Sequence, residues 1–589
     1  MKTPTLCAGV VALALVSAAA YPQQMQTQPV QGNAGAAIRA QAPRLARAPK
    51  PPIGRIKGRV TTDTGAPIRR AQVGILGDAI PARIVATDEE GRYEFSHLPS
   101  GRYTITAFKS GHTSVQYGQM MPFEQGKFID LVESESMDNA DITLPRGAVI
   151  SGRLVDEFGE PMSHTVVTAM RLTWVHGKRR VQFAGRAART NDLGQYRLAG
   201  LRPGQYYISA TLDNGDAELR TEYPTTYFPG TPDSANAQRI ALRSGENKQN
   251  TDFPLVRMKL AKVTGTVVGP DGHPVERAMI PVVAHSSGEM ALSIRSFNRT
   301  DEDGNFTLNR VPPGSYTLQA GNQFFGTTSR LEGGDLIGDP IMEMRLDEAG
   351  QTEFGSVPLT VTGEDVTGVT IVTSRGTTAA GRVIWGGGAK PSSTEPLRIA
   401  AVPSDRAVPS DRDDPLTFYS VEVDARGSFE LKGLDGQLLF RPSNLPKGWV
   451  LKSVTLNGRD ITDTVLDVKL DQPVTGLEVV LSSRVTDVSG SVKAGNDTTT
   501  NYTVVIFAED AQKWTVPMTR HIAAARPNQR GRFQVKNLPA GYYYAVALAY
   551  IEQGEWNDPK VLERLKAKAT RFTLEEGKPQ TLALKLSGS

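Results

Sequence analysis

The 589-residue chain carries 66 Lys and Arg residues against 62 Asp and Glu residues, which leaves a formal net charge of +4. This balance gives no case for a nucleic-acid partner, because proteins that bind nucleic acid present a clustered basic face. The length allows several domains, and the 57 Gly and 38 Pro residues are typical of turn-rich β structure.

The first twenty residues have the pattern of a secretory signal peptide. Lys2 precedes an apolar stretch, 6–20, that ends in three alanines before Tyr21, as at signal cleavage sites. The stretch is too short to span a membrane, and no later run of about 18 apolar residues predicts a transmembrane segment. The only cysteine, Cys7, lies inside this segment. We therefore predict an exported bacterial protein that is periplasmic, secreted or on the cell surface.

Residues 21–52 are rich in Gln, Ala and Pro and show no apolar period. Such a composition cannot bury a core, and it predicts a disordered tether. The tether is either a passive junction or a spacer that holds the following domains away from a surface.

A stretch of twenty residues occurs four times and a fifth time in a degenerate form. Each copy begins with Asp or Asn three residues before a Gly, which is typical of a type I turn. An apolar alternation, a chain reversal and a second alternation follow, so each copy predicts a β-hairpin. The copies begin at Asp88, Asn191, Asp301, Asp424 (degenerate) and Asn528. One inward-facing position of the second hairpin strand holds Tyr103, Tyr206, Tyr316 and Tyr543.

A second repeated motif lies upstream of each hairpin. It consists of a Gly with apolar residues at alternate positions on both sides. A Gly inside a strand pattern predicts a β-bulge or the close approach of another backbone. The motif glycines are Gly58, Gly152, Gly265, Gly381 and Gly490.

Together, the two motifs resemble the carboxypeptidase regulatory-like domain family over nearly all of the chain that follows the signal. The resemblance implies a transthyretin-like, seven-stranded β-sandwich, grouped with carbohydrate-binding-like folds and with the B-type repeats of bacterial adhesins. The expected fold class is all-β, with about five sandwiches in tandem. Their expected ranges are 53–145, 146–258, 259–376, 377–484 (degenerate) and 485–589. The last range contains a predicted helix that begins at Pro559, and the short joints predict an end-to-end, semi-rigid rod.

Two segments are similar to metal sites but coincide with repeated turns. His273 and Glu276 have the H-x-x-E spacing of zinc ligands, yet this motif falls on the Gly-x-Pro turn that the first two copies also have. Asp301 begins a segment similar to a calcium loop, but its twelfth position is Pro312 instead of Glu. We therefore predict no catalytic residues, no metal and no cofactor.

Aromatic residues on inserts and turns are the remaining candidates for binding. Aromatic rings stack on sugars, while neighbouring polar groups bind the sugar hydroxyls. Packing in a core or between domains is the alternative. The candidates are Tyr227, Phe228, Trp385, Trp514 and Trp556.

These observations predict a non-enzymatic exported binding or scaffold protein of the bacterial envelope that engages carbohydrate or a protein partner. An accessory subunit that positions a separate envelope enzyme, such as a carboxypeptidase, is the alternative that the family resemblance implies. An enzyme in its own right is the third possibility. One sandwich fold hosts many functions, so the fold alone does not decide among the three.

Overall fold

The computed structural model describes residues 54–587, except for 78–79, 176–177, 213–222, 285–292, 295–297, 322, 333–334, 345–352, 388–390, 392–394, 405–418 and 471. The predicted signal peptide (1–20) and tether (21–52) lie outside these residues. Strands dominate the described chain and surround five main clusters of buried apolar side chains. The predicted fold class, all-β with tandem sandwiches, is confirmed, whereas the boundaries between the sandwiches stay a prediction.

The first two sandwiches each consist of a four-stranded and a five-stranded sheet. The first has β1 (Gly54–Thr61), β2 (Gln72–Gly77), β3 (Ile80–Ala86), β4 (Arg92–Leu98), β5 (Gly101–Phe108), β6 (Val115–Gln116), β7 (Ile129–Leu131), β8 (Ser136–Met137) and β9 (Ile142–Thr143). The second has β10 (Ala148–Val155), β11 (Thr165–Val175), β12 (Lys178–Arg189), β13 (Gln195–Leu201), β14 (Gly204–Leu212), β15 (Thr226–Tyr227), β16 (Ile240–Leu242), β17 (Asn247–Lys248) and β18 (Phe253–Pro254), with a 3-10 helix at Ser234–Asn236. In the first sandwich the sheet orders are β4-β1-β8, with β9 also paired to β1, and β3-β2-β5-β6, with β7 also paired to β5. In the second they are β13-β10-β17, with β18 also paired to β10, and β12-β11-β14-β15, with β16 also paired to β14.

The third and fourth sandwiches repeat this plan with different additions. The third has β19 (Ala261–Val268), β20 (Val282–Ala284), β21 (Ser293–Ile294), β22 (Asn305–Val311), β23 (Gly314–Gly321), β24 (Gln323–Glu332), β25 (Asp335–Met344), β26 (Phe354–Val361) and β27 (Val366–Val372). The fourth has β28 (Thr377–Gly386), β29 (Arg398–Pro403), β30 (Tyr419–Glu422), β31 (Ser428–Leu434), β32 (Gly436–Ser443), β33 (Val450–Leu456), β34 (Arg459–Asp460), β35 (Leu466–Val468) and β36 (Val474–Ser482). The additions are a separate hairpin, β24-β25, in the third and the pair β33-β34 in the fourth.

Among the described residues, the fifth sandwich is the one that contains an α-helix. Its strands are β37 (Asp487–Ala494), β38 (Asp497–Thr499), β39 (Thr503–Ala508), β40 (Ile522–Ala525), β41 (Arg532–Lys536), β42 (Gly541–Leu548), β43 (Thr570–Leu574) and β44 (Pro579–Ser587), with 3-10 helices at Ala511–Trp514 and Glu555–Asn557. Helix α1 (Pro559–Lys566) begins as predicted, because the Asp558 side chain accepts the Lys560 N–H over 2.9 Å. Val561 and Leu562 of α1 pack on the outer face of the sheet, where they build a second apolar cluster.

The first strand of every sandwich has the same two neighbours. It pairs antiparallel with the first strand of the repeated hairpin and parallel with the closing strands of the same sandwich. The antiparallel pairs are β1–β4, β10–β13, β19–β22, β28–β31 and β37–β41. The parallel pairs are β1 with β8 and β9, β10 with β17 and β18, β19–β27, β28–β36 and β37–β44. Two strands far apart in sequence are therefore joined side by side in each sandwich.

The repeated strand glycine lies where the parallel closing strand approaches most closely. A Cβ built at Gly265 would lie 2.0 Å from the Val369 carbonyl oxygen. The other four motif glycines have the same relation to a carbonyl oxygen, at 2.1 Å for Gly152, 2.2 Å for Gly58, 2.3 Å for Gly381 and 2.0 Å for Gly490. The predicted close backbone approach is confirmed, and it explains why this position has no side chain.

Replacing Gly265 by Ala should destabilise the third sandwich by about 1–3 kcal/mol or more, as expected for overpacking. The obstructing atom is a backbone oxygen, so the two strands must separate to make room for the methyl group. Denaturant unfolding of the variant measures the loss. Gly74→Ala is the matched control, because a Cβ at this strand glycine meets its nearest atoms only at 3.9 Å. Equal losses for the two variants would contradict the explanation.

The repeated hairpin has the predicted turn and the predicted buried tyrosine. In the first copy, the Asp88 carboxylate accepts the N–H groups of Glu90 and Arg92 over 3.0 and 2.7 Å, and Gly91 has a φ of 76°. The same turn bonds occur at Asn191, Asp301, Asp424 and Asn528. The tyrosine hydroxyls of Tyr103, Tyr206, Tyr316 and Tyr543 each donate to the carbonyl four residues earlier, over 2.7–2.8 Å. The degenerate copy has the buried Leu438 at this position.

The prediction of an end-to-end rod is wrong, because the first and fifth sandwiches are in direct contact. Asp130 of the first sandwich forms hydrogen bonds with Asn528 and Gln529 of the fifth. In a rod of five beads only neighbours along the chain touch. The short joints restrict the distance between neighbouring sandwiches, but they do not determine the relative orientation of those sandwiches. Side-chain contacts determine that orientation.

Candidate functional site

Two of the five predicted binding aromatics are buried. Tyr227 lies on β15, is 8% exposed and packs with Met170 and Tyr207. Trp514 is 4% exposed, and its indole N–H donates to the Ala508 carbonyl over 2.7 Å. The burial of both rings agrees with packing, which is the alternative that the sequence left open.

The other three predicted aromatics are partly buried. Phe228 packs edge-on against Phe253, with ring centroids 5.8 Å apart, and Trp385 packs edge-on against Trp449 at 4.9 Å. Trp556 packs against the apolar cluster beneath α1 that also contains Trp514. The structure therefore brings together only this last pair of the five candidates. A ligand-binding role for any of the five rings stays a prediction.

The two segments that are similar to metal sites are turns, as predicted. The His273 N–H donates to the Asp271 carboxylate over 3.1 Å, and Glu276 forms an ion pair with Arg277 at 2.9 Å. Asp301 accepts two backbone N–H groups of its own hairpin turn. Among the residues that the structure describes, no group of three His, Cys, Asp or Glu side chains could hold a metal ion. Within the same residues, no helix is long and apolar enough to cross a membrane.

The joint between the first and fifth sandwiches, hereafter the clasp, consists of 117–135 of the first and of 526–530 and 550–553 of the fifth. Glu124 and Arg526 form an ion pair at its centre, with side chains 1% and 0% exposed. The Arg526 guanidinium also donates to the Gly118 carbonyl over 2.9 Å. Burial lowers the pKa of Arg526 to about 10, so this side chain stays charged at neutral pH.

Polar contacts surround the central ion pair of the clasp. The backbone N–H of Asp130 donates to the Gln529 side chain over 3.0 Å, and the Asp130 carbonyl accepts from that side chain over 2.7 Å. The Asn528 amide donates to the Asp130 carboxylate over 3.0 Å. Arg530 pairs with Glu135 at 2.5 Å. The two sandwiches therefore meet through hydrogen bonds and a second ion pair around the central one.

Phe123 connects the clasp to the second sandwich. The guanidinium carbon of Arg171 lies 3.5 Å from the centroid of the Phe123 ring, and that of Arg202 lies 5.8 Å from it. Arg171 also donates to the Glu552 carboxylate over 2.6 Å, and the Phe123 carbonyl accepts the Gln553 N–H over 3.0 Å. The first, second and fifth sandwiches thus meet around one ring.

A half-buried carboxylate, that of Asp463, joins the fourth and fifth sandwiches. Asp463 accepts hydrogen bonds from Arg520 over 3.0 Å and from the His521 Nε2 atom over 3.0 Å, and it pairs with Arg441 at 3.2 Å. The side chains of Arg441 and His521 are only 7% and 6% exposed. The His521 Nδ1 atom lies 3.2 Å from the hydroxyl of Tyr543, the repeated hairpin tyrosine. The joint is thereby connected to the core of the fifth sandwich.

The outer face of β42 and β43 presents an exposed aromatic ring beside charged groups. Tyr542 is 59% exposed, and the guanidinium carbon of Arg571 lies 5.2 Å from the centroid of its ring. Arg571 donates to the Glu509 carboxylate over 2.9 and 3.1 Å, and the Tyr544 hydroxyl donates to the same carboxylate over 3.3 Å. An exposed ring with charged hydrogen-bonding groups beside it is able to stack on a sugar and to bind its hydroxyls.

Sequence reasoning missed both the clasp and Tyr542. A signal for Tyr542 was present, because the period of two that places Tyr543 inside necessarily places its neighbours outside. No comparable signal existed for Glu124 and Arg526. Each is an ordinary charged residue in a polar segment, and 401 positions of sequence lie between them.

A model of the family described as "Carboxypeptidase regulatory-like domain" matches residues 55–143 and 262–352. No curated protein matches the chain. Solved structures similar to it include a streptococcal ancillary pilin, with 13% identity over 54% of this chain and 98% of the pilin and a TM-score of 0.18. A putative carbohydrate binding protein from Pseudomonas aeruginosa has 14% identity over 20% of this chain and 89% of that protein, with a TM-score of 0.12. Scores this low support no inference about function. The two matched stretches contain the first and third copies of the two repeated motifs, so the family match and the motifs agree.

Proposed function

We propose that this protein is a non-enzymatic exported scaffold of the bacterial envelope that engages carbohydrate or a protein partner through its sandwiches. The observation that carries the proposal is the pair of buried joints, centred on Glu124 with Arg526 and on Asp463. Buried charge pairs that are also hydrogen-bonded favour one arrangement of the bodies that they connect. A chain of sandwiches held in this way presents its surfaces in constant positions, as a scaffold requires.

Carbohydrate is the ligand class that the exposed face around Tyr542 fits best. The ring offers an apolar surface, and Arg571 and Glu509 offer donors and acceptors beside it. Exposed Thr573 lies directly opposite Tyr542 on β43 and adds a hydroxyl. Sugar recognition needs this combination of a flat apolar face and fixed polar groups.

Replacing Tyr542 by Ala should weaken glycan binding by the mature chain by about tenfold, which corresponds to roughly 1.4 kcal/mol. The lost ring would remove the stacking surface, while the fold persists because Tyr542 is exposed. A glycan array identifies the bound sugar, and titration of that sugar measures its affinity for the wild type and for the variant. Phe158→Ala is the control, because this ring is 79% exposed on a turn of the second sandwich. Binding that Tyr542→Ala leaves unchanged would exclude this face as the sugar site.

The family match favours a second candidate, an accessory subunit that positions a separate envelope enzyme. Co-purification from an envelope extract distinguishes the two. An enzyme that co-purifies in a fixed ratio supports the accessory role. If the chain binds sugar but no enzyme co-purifies with it, the result supports the scaffold function.

A further inference from the structure

We infer that the clasp can also form between two copies of this chain, so that the fifth sandwich of one copy binds the first sandwich of another. The inference concerns self-association, and it holds whether or not the protein binds carbohydrate. The inference rests on three properties of the clasp. Each half is organised within its own sandwich, both halves are polar, and the two halves are different surfaces.

Each half of the clasp is organised within its own sandwich. In the first sandwich, the Glu124 carboxylate accepts the N–H groups of Met120 and Met121 over 2.9 and 3.2 Å, and the Lys127 N–H donates to the Tyr117 carbonyl over 2.7 Å. In the fifth, residues 526–530 overlap the hairpin turn that begins at Asn528, which four other sandwiches form without any clasp. Neither half therefore depends on the other for its local conformation.

The clasp is also polar enough to be opened in water. Apart from the Phe123 ring, the contacts described above are ion pairs and hydrogen bonds between charged groups, amides and carbonyls. The charged side chains regain hydration when the halves separate. Interfaces between separable domains and partners have this polar composition, in contrast to permanent, apolar interfaces. When the clasp opens, it thus exposes two polar surfaces that remain complementary to each other.

The two halves are different surfaces, so an exchanged clasp has two possible outcomes. A reciprocal exchange between two copies closes as a dimer, and a one-way exchange leaves a free half at each end and allows further copies to add. Within one copy, the connection through the intervening sandwiches raises the effective concentration of each half at the other. The closed single chain is therefore favoured in dilute solution, and exchange is favoured where the protein is concentrated.

A charge exchange at the central ion pair tests the inference. In Glu124→Arg the residues at positions 124 and 526 are both positive, and in Arg526→Glu they are both negative. The two halves of the clasp within one chain then repel each other, so neither variant forms the clasp within a single chain. When the two variants are mixed, every clasp formed between a copy of one and a copy of the other again pairs opposite charges at positions 124 and 526. We expect each variant alone to be monomeric by light scattering, the mixture to form dimers or larger species, and the double variant Glu124→Arg/Arg526→Glu to be monomeric again. A mixture that remains monomeric while both variants are folded would overturn the inference.

Cross-linking keeps the test decisive if a charge variant fails to fold. The mature chain has no cysteine, because Cys7 lies in the predicted signal peptide. We would mix Asp130→Cys and Gln529→Cys chains, whose substituted residues are in contact across the clasp, and treat them with a short bismaleimide at high protein concentration, where exchange is favoured. A covalent dimer supports exchange, with Phe158→Cys in place of Gln529→Cys as the control. No dimer, together with efficient internal cross-linking when both cysteines are in one chain, would contradict it.

Discussion

Replacing Tyr316 by Ala should lower the free energy of unfolding of the third sandwich by about 3–5 kcal/mol, as for other buried aromatics. The Tyr316 side chain is 4% exposed within the core formed by β19, β22 and their neighbours. Its hydroxyl donates to the Pro312 carbonyl over 2.7 Å and fixes the reversal of the hairpin. The substitution removes the ring and this hydrogen bond together. Calorimetry of the mature chain measures the change in each unfolding transition.

Tyr316→Phe separates the two contributions, because it keeps the ring and removes only the hydroxyl. We expect it to cost about 1 kcal/mol, the typical net value of one hydrogen bond. In both variants the transitions of the other sandwiches should stay in place, because their cores are separate clusters that share no side chains with the third. A common shift of all transitions would show instead that the sandwiches unfold as one cooperative body.

Replacing Asp463 by Ala should destabilise the joint of the fourth and fifth sandwiches by about 3–5 kcal/mol. The loss arises because Arg441, which is buried, and Arg520, which is half-buried, keep their charges without the carboxylate that neutralises them. Denaturant unfolding at neutral pH measures it. Asp467→Ala is the control, since the ion pair of Asp467 with Lys469 is exposed and such pairs contribute at most about 1 kcal/mol. Similar losses in both variants would argue against a structural role for the half-buried carboxylate.

The same carboxylate gives the joint a defined response to acid. Burial acts to raise the pKa of Asp463, but the hydrogen bonds from His521 and Arg520 outweigh it and hold the pKa well below its usual range. A carboxyl group with a depressed pKa stabilises the folded state above its unfolded pKa of about 3.9, and this stability is lost as the pH falls towards the folded pKa. The difference in stability between the wild type and Asp463→Ala should therefore be constant near neutral pH and shrink below about pH 4.

The repeated elements were predictable because local chemistry determines them. The Asp88 turn depends on a side chain and N–H groups two and four residues away, and α1 begins at Pro559 because Asp558 caps it. The period of two along each strand assigns Tyr316 to the core without knowledge of its neighbours. The strand glycine was predictable in part, since its recurrence in every copy indicated either a β-bulge or a close backbone approach, and the structure shows the close approach.

The joints were not predictable, because they depend on how whole sandwiches are turned against one another. Glu124 and Arg526 carry charges that are ordinary in surface loops, and their burial follows only from the contact of the first sandwich with the fifth. Tyr227 illustrates the same limit within a single sandwich. Its neighbours in sequence indicate an exposed insert, but Met170 and Tyr207 of adjacent strands cover its ring. A polar segment without a periodic pattern of apolar residues does not indicate which part of the protein packs against it.

The parallel pairing of the first and closing strands determines how each sandwich resists mechanical force. The two strands run side by side in the same direction, as β28 does with β36 and β37 with β44. A pull on the two ends of such a sandwich draws the strands past each other along their common axis. All hydrogen bonds of the ladder are then strained at once, in shear, instead of breaking one after another as in a peeled hairpin. The long parallel ladders of the fourth and fifth sandwiches thus oppose tension more strongly than the two-residue pairings of β1 with β8 and β9 in the first.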